Sequence, residues 1–283
     1  MGKNFQYIYG PVYSWRLGVS LGIDPLSGQD KICNFDCIYC QLGKTHHLES
    51  KRGDFVSVEA IMEEIDSLPK LNIDHFTFSG RGEPTLAKNL GEMIQALKGR
   101  KKGKIAVITN SGLMDHRDVR EDLFLADYVI AKLDAHNQET LVNIDKTMQD
   151  IKFEDILSGI KSFRRSFKGK LAIQVMFIDQ NKAYAQYMAD IVREIAPHEV
   201  QIDTPLRASK LKPLGVEEIN EIKKYFKGLP VSCVYDVPQK EIEAMSGEET
   251  ARRHGRVRKN LNGNQNVTCQ KEGVCSRYSQ PRQ

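Results

Sequence analysis

Short runs rich in β-branched and aromatic residues alternate along the chain with longer stretches whose apolar residues recur every three or four positions. The runs Val19–Ile23, His75–Ser79, Ile105–Thr109, Tyr128–Lys132, Leu171–Ile178, Val200–Asp203 and Val231–Tyr235 read as strands. Helical spacing fills Val58–Leu68, Leu90–Lys98, Val119–Leu125, Phe153–Phe167, Ala183–Ile195 and Val216–Phe226. Ser57 suits the cap of the first helix and Gly99 the end of the second. Such regular alternation calls for parallel strands joined by right-handed crossovers. About six β/α units predict an α/β fold, a partial (β/α)6 barrel open on one side. Residues 1–240 would form this domain, and residues 241–283 a short C-terminal tail. In such barrels the functional loops follow the strands, so Ile32–Gly43 lies on the functional face.

That loop contains Cys33-Asn34-Phe35-Asp36-Cys37-Ile38-Tyr39-Cys40. Three thiolates at this spacing can hold three irons of a [4Fe–4S] cluster and leave the fourth without a protein ligand. A zinc knuckle and three unrelated thiols are the plainer alternatives, and no further Cys or His follows until His46. His46 and His47 read as solvent-facing loop residues, with contact to substrate or iron as the alternative.

Other unusual loops share this face. In Ser79-Gly80-Arg81-Gly82-Glu83-Pro84-Thr85, Gly80 and Gly82 permit close approach of a ligand to the backbone. Glu83 offers an acceptor for a cationic amino group, and a plain Gly-Pro turn is the alternative. Thr109-Asn110-Ser111-Gly112 and Lys132-Leu133-Asp134-Ala135 follow the next strands and could bind hydroxyls, although Asp134 would also serve as a helix cap. Gln174, Met176, Gln201, Asp203 and Thr204 add side chains at later strand ends.

Composition narrows the class. The 283 residues are 40% hydrophobic and 28% charged, enough for one large core. No apolar run approaches the roughly 20 residues of a membrane span, and Met1-Gly2-Lys3-Asn4-Phe5 lacks a signal-peptide core. A cytoplasmic protein with no membrane partner is expected. Six cysteines are too sparse for a disulfide scaffold, and three within eight residues suit metal in a reducing compartment. The net charge of +4 neither demands nor excludes nucleic acid. Basic clusters at Lys98–Lys104 and Lys161–Lys170 fall at connections opposite the functional face and read as solvated surface. Arg252, Arg253, His254, Arg256, Arg258 and Lys259 form a run that could meet phosphate or serve as a linker.

Gly10-Pro11-Val12-Tyr13-Ser14-Trp15-Arg16-Leu17-Gly18, Cys33 to Cys40, Ser79 to Leu86, Ile108 to Leu113, Lys132 to Ala135 and Gln201 to Pro205 together resemble the radical S-adenosylmethionine (SAM) superfamily, in particular a group akin to the wyosine synthases. The resemblance implies that Cys33, Cys37 and Cys40 ligate a [4Fe–4S] cluster whose free iron takes the amino and carboxylate groups of SAM. It implies reductive cleavage of SAM to a 5′-deoxyadenosyl radical that abstracts hydrogen. Gly80, Gly82 and Glu83 would line the methionine amino group, Tyr39 would lie by the adenine, and Asn110, Ser111 and Asp134 near the ribose or carboxylate. An electron donor such as ferredoxin or flavodoxin is implied, and tRNA is a candidate substrate. A peptide, protein or small metabolite is the alternative, and a non-catalytic iron–sulfur electron carrier a third reading. Cys233, Cys269 and Cys275 are candidates for a second iron–sulfur cluster, although wyosine synthases place their extra cysteines elsewhere. For Cys233 the alternative is a buried core thiol, and for the tail pair two solvent-exposed thiols.

Overall fold

The structure, a computed structural model, describes residues 5–27, 30–100, 102–207 and 209–237. The chain opens with an antiparallel hairpin of β1 (Ile8–Ser14) and β2 (Gly18–Ile23). Two short strands, β3 (Ile32–Cys33) and β4 (His47–Leu48), then pair in parallel with each other. Alternation follows through α1 (Val58–Asp66), β5 (His75–Phe78), α2 (Leu90–Gly99), β6 (Lys104–Thr109), α3 (Arg117–Leu123) and β7 (Tyr128–Lys132). Two helices, α4 (Gln138–Asp145) and α5 (Phe153–Ser166), precede β8 (Lys170–Met176). The order closes with α6 (Ala185–Ile195), β9 (Glu199–Asp203), α7 (Val216–Tyr225) and β10 (Val231–Cys233).

The main sheet has the strand order β1-β2-β5-β6-β7-β8-β9-β10, and every pair beyond the hairpin is parallel. This mostly parallel sheet, with crossover helices between its strands, is the expected partial barrel. The sequence pattern misses β1, β3, β4 and α4. Gly10 and Pro11 break the alternation of β1, where the register shifts between Tyr9 and Val12. Some ends also differ. Gly99 closes α2 from inside, leaving Arg100 as its cap, and the last strand stops at Cys233 before a turn of 3-10 helix. Ser57 caps α1 as expected, its side chain accepting from Ala60 N.

Alternate strand residues face opposite sides. Phe76, Phe78, Ile105, Val107, Val129, Leu171, Ile173, Val200 and Ile202 belong to the large core against the helices. Burying each such side chain contributes on the order of 1.5–3 kcal/mol. The opposite positions line the barrel interior, where Leu17 from the hairpin turn packs with Ala106, Tyr128, Ile130 and Ala172. Further along the same faces stand Gln174, Gln201 and Asp203, all buried. The interior is thus apolar at the start of the strands and polar toward their ends.

The basic clusters opposite the functional loops are ion-paired surface. Arg100 and Lys102 share Asp66, Lys98 meets Asp127, and Lys161 meets Glu194. No helix among the described residues is long and apolar enough to cross a membrane. The expected tail, including Cys269, Cys275 and the Arg252–Lys259 run, lies outside the described residues.

Candidate active site

The cysteine loop is built into the ends of the strands by main-chain bonds. On one flank Ile32 N donates to Arg81 O at 3.0 Å, and Glu83 N donates back to Ile32 O at 3.1 Å. On the other, Asp36 N and Ile38 N donate to Asp145 O and Ile144 O, at 3.0 and 2.9 Å. These two carbonyls end α4, where the last turn leaves acceptors unsatisfied. Thr45 Oγ1 closes the loop on Phe35 O at 2.7 Å.

The close contact at Gly82 is with the chain itself. A Cβ there would lie 1.6 Å from Ile32 O, so the glycine lets the cysteine loop cross directly over. Gly80, at φ +120°, would bring a Cβ within 2.5 Å of Asp24 Cγ. Both glycines make room for neighbouring protein.

Glu83 stands in the same crossing. Its side chain is buried, with Oε1 accepting from Thr85 N, Thr85 Oγ1 and Thr109 Oγ1 and Oε2 from Asn110 N, all within 3.0 Å. Burial raises its pKa, and these donors act the other way. The carboxylate ties the loop after β5 to the loop after β6. Ser111 is likewise buried, at φ +70°, and donates to Lys132 O at 2.9 Å. Asp134 Oδ1 accepts from Met176 N at 2.6 Å, and its other oxygen lies 3.0 Å from Lys132 Nζ. Both residues hold loops together at the ends of the strands. Asn110 stands beside the cysteines, its Nδ2 reaching Asn34 Oδ1 at 2.6 Å and Cys33 Sγ at 3.6 Å.

Tyr39 points its hydroxyl between two carboxylates, bonding Asp134 Oδ2 and lying 3.0 Å from Asp145 Oδ1. Lys132 Nζ sits 5.2 Å from the centre of its ring. Burial, with Asp134 close by, pushes the Asp145 carboxyl up to about 7. Sequence reasoning missed Asp145 because it did not see α4. It also passed over Lys31, which donates to Cys40 Sγ at 3.2 Å and to Gly43 O at 3.1 Å. Burial alone would lower the Lys31 ammonium pKa; the Cys40 and Cys33 sulfurs outweigh it.

The donor set fits a cluster. Cys33 is buried, Cys37 and Cys40 half-buried. Burial pushes the Cys33 thiol up to about 12 and Cys37 well above its ordinary value, so a bound cation is what would ionise them. Among the described residues no three His, Cys, Asp or Glu side chains converge as they would on a single ion. N–H donors already point at sulfur, from Phe35 N to Cys33 Sγ at 3.4 Å and from Lys31 to Cys40. Asn34 Nδ2 is buried with no partner among the described residues, a spare donor beside Cys33 for a sulfide-rich group.

The profile described as the Radical SAM superfamily matches residues 31–192, more than half of the chain. The chain belongs to the radical SAM superfamily. It is an enzyme that binds a [4Fe–4S] cluster and SAM, as that family does. The UPF0026 protein slr1464 of Synechocystis sp. is 40% identical over 214 residues, covering 75% of this chain and 80% of that one. Two solved radical SAM structures share the fold. Archaeal TYW1 has a TM-score of 0.52 at 18% identity, covering 72% of this chain and 70% of that chain. Streptococcus suis SuiB bound to S-adenosylmethionine has a TM-score of 0.55 at 16% identity, covering 72% and 48%.

Cys233 ends β10. It is 1% exposed, packs in the main core, and takes Tyr235 N on its sulfur at 3.4 Å. This burial favours the core-thiol reading, and Cys269 and Cys275, the other candidates for a second cluster, lie outside the described residues.

Proposed function

We propose that this enzyme cleaves SAM reductively and uses the 5′-deoxyadenosyl radical to abstract hydrogen from a nucleoside-type substrate in RNA. When bound, the cluster supplies the electron that breaks the sulfonium carbon–sulfur bond. Cys33, Cys37 and Cys40 would hold it, Lys31 and Asn110 would donate to its sulfurs, and Glu83 would fix the loops on which both ligands rest. The observation that carries the reductive cleavage is the main-chain ladder between Ile32 and Arg81–Glu83, which sets the cysteine loop directly on the Gly-Arg-Gly-Glu-Pro loop.

The barrel interior supports the substrate class. Arg16 Nε and Gln201 Oε1 are buried, and neither has a hydrogen-bond partner among the described residues. One is a donor and the other an acceptor, the pairing shown by the edge of an unstacked nucleobase. Enclosure by the strands would keep the radical from solvent.

RNA, peptide and small-metabolite fractions from cells grown in deuterated medium would be supplied separately to the anaerobically reconstituted enzyme with SAM and reductant. Deuterium should enter 5′-deoxyadenosine from the RNA fraction. Transfer from peptides or metabolites alone would reassign the substrate. Cys37→Ala should abolish both iron binding and cleavage, and wild-type cleavage in that variant would sink the radical SAM chemistry assigned to these residues.

A further inference from the structure

Three aromatic rings meet on the rim of the functional face, apart from the cysteine loop and its partners. The His136 ring lies 4.2 Å from that of Tyr184 and 5.4 Å from that of Tyr187, with 30° and 24° between the planes. His136 follows β7 and Tyr184 follows β8, so both stand in connections on the side of the strand ends. Both ring nitrogens of His136 are engaged, Nε2 lying 3.1 Å from Asn137 Nδ2 and Nδ1 3.2 Å from Thr140 Oγ1. These contacts hold the imidazole in place beneath the tyrosines. Tyr184 is 38% exposed and Tyr187 61%, so packing of the core does not account for the stack.

The stack is tied to the candidate active site. Tyr184 N donates to Asn181 O at 2.9 Å, Asn181 Nδ2 donates to Asp134 O at 3.0 Å, and the Asp134 carboxylate takes the Tyr39 hydroxyl. The helices α4 and α6 both start beside the rings, with Asn137 capping one and Tyr184 the other, and the Tyr184 side chain makes no capping bond. Two helix N-termini favour negative charge there. Neighbouring acids are held, Asp179 and Glu218 by Lys182 and Asp190 by Arg193. Glu139, in the first turn of α4, acts the other way, and its charge reaches His136. Exposed Lys210 and Lys212 flank Leu211, which packs on the group of Tyr39, Ile144 and Ile178.

We infer that Tyr184 and Tyr187, backed by His136, form a stacking platform for unpaired bases of an RNA strand. This rests on the proposed RNA substrate and adds where the strand beside the modified nucleoside is held. Bases that leave a duplex so that one of them can enter the barrel need a new stacking partner, and aromatic side chains supply it. Every base has a π face, so such a platform holds a strand without reading its sequence. The strand also brings phosphates, which suit the helix N-termini and the two lysines. A basic peptide would find Glu139, but the lysines and helix ends would repel it.

The test measures, by fluorescence anisotropy at fixed salt, how the reconstituted enzyme binds labelled oligoadenylate and an abasic ribose-phosphate chain of the same length. Tyr184→Leu and Tyr187→Leu keep an apolar side chain and remove the ring, Tyr187→Phe keeps the ring, and circular dichroism checks each fold. Each leucine variant should bind oligoadenylate about tenfold more weakly and the abasic chain as the wild type does, whereas Tyr187→Phe should match the wild type with both. Glu139→Gln should tighten the binding of both probes. Equal affinity of the wild type for the two probes, or unchanged oligoadenylate binding in both leucine variants, overturns the platform. Tighter binding of an oligoarginine peptide, lost in the leucine variants, gives the surface to a protein partner and overturns it too. Deuterium transfer from RNA with oligoadenylate binding that ignores the rings sinks the platform alone. Transfer from peptides or metabolites with binding that needs the rings sinks the RNA substrate and leaves the platform as an RNA-binding surface.

Discussion

Arg16 Nη1 lies 3.0 Å from Asp203 Oδ2 and ties the β1–β2 turn to the end of β9. These elements stand near opposite margins of the sheet, whose order leaves β1 and β10 unpaired with each other. The ion pair spans a gap that main-chain bonds leave open. Gln174 Nε2 also donates to Asp203 Oδ2, at 2.7 Å, and Trp15 lies 5.1 Å from the Arg16 guanidinium. Burial lowers the Arg16 pKa, opposed by Asp203.

Arg16→Ala should leave Asp203 buried without its cation, at a cost of about 3–5 kcal/mol. In a domain this size that lowers the melting temperature by about 10 °C. The double variant Arg16→Ala, Asp203→Ala should melt nearer to wild type than Arg16→Ala alone. Thermal melting of the metal-free protein checks this, and strict additivity would show that the two side chains do not act as a pair.

Gly82→Ala should give a protein that takes up little iron on anaerobic reconstitution, because its methyl group would displace Ile32 and the strand leading into Cys33. Gly43→Ala is the control. Gly43 has φ +79° with open space around its missing Cβ, so that change should cost about 1 kcal/mol or somewhat more and keep the iron. Iron and sulfide analysis separates the two.

Lys31→Met removes the ammonium on Cys40 Sγ while roughly keeping the length of the side chain. A nearby positive charge favours the reduced cluster, so the variant should be harder to reduce. Redox titration followed by electron paramagnetic resonance should show a midpoint more negative than that of the wild type.

Asp145 makes the metal-free protein sensitive to pH. Its pKa is raised to about 7 by burial and Asp134, whereas an unfolded aspartate titrates near ~3.9. The folded chain therefore binds the proton more tightly, which adds stability that is complete below about pH 4 and lost as pH rises toward 7. Melting temperature should fall between about pH 5 and 7, and Asp145→Asn should flatten that slope. An unchanged slope in the variant would place its source elsewhere.

The strands β5 to β9 were legible because buried parallel strands demand unbroken β-branched runs, and Tyr128–Lys132 shows this at full length. The three cysteines were legible from spacing alone. Local pattern could not show α4, whose eight residues offer few apolar positions, with Leu141 and Ile144 as its buried aliphatic side chains. Nor could it show why Gly82 is a glycine, since Ile32 is remote in sequence and meets it only through the fold. The same limit explains Glu83: its type marks an acceptor, but its partners Thr109 and Asn110 come from another loop.

Arg81, Glu83, Ile144 and Asp145 already fix the cysteine loop through its own backbone, without any bond to iron. A zinc finger collapses when its metal leaves, because the metal supplies the folding energy. Here main-chain bonds from the barrel share with the metal ligands the work of shaping the loop. A substitution that breaks those bonds would thus disturb the cluster while leaving all three cysteines in the sequence.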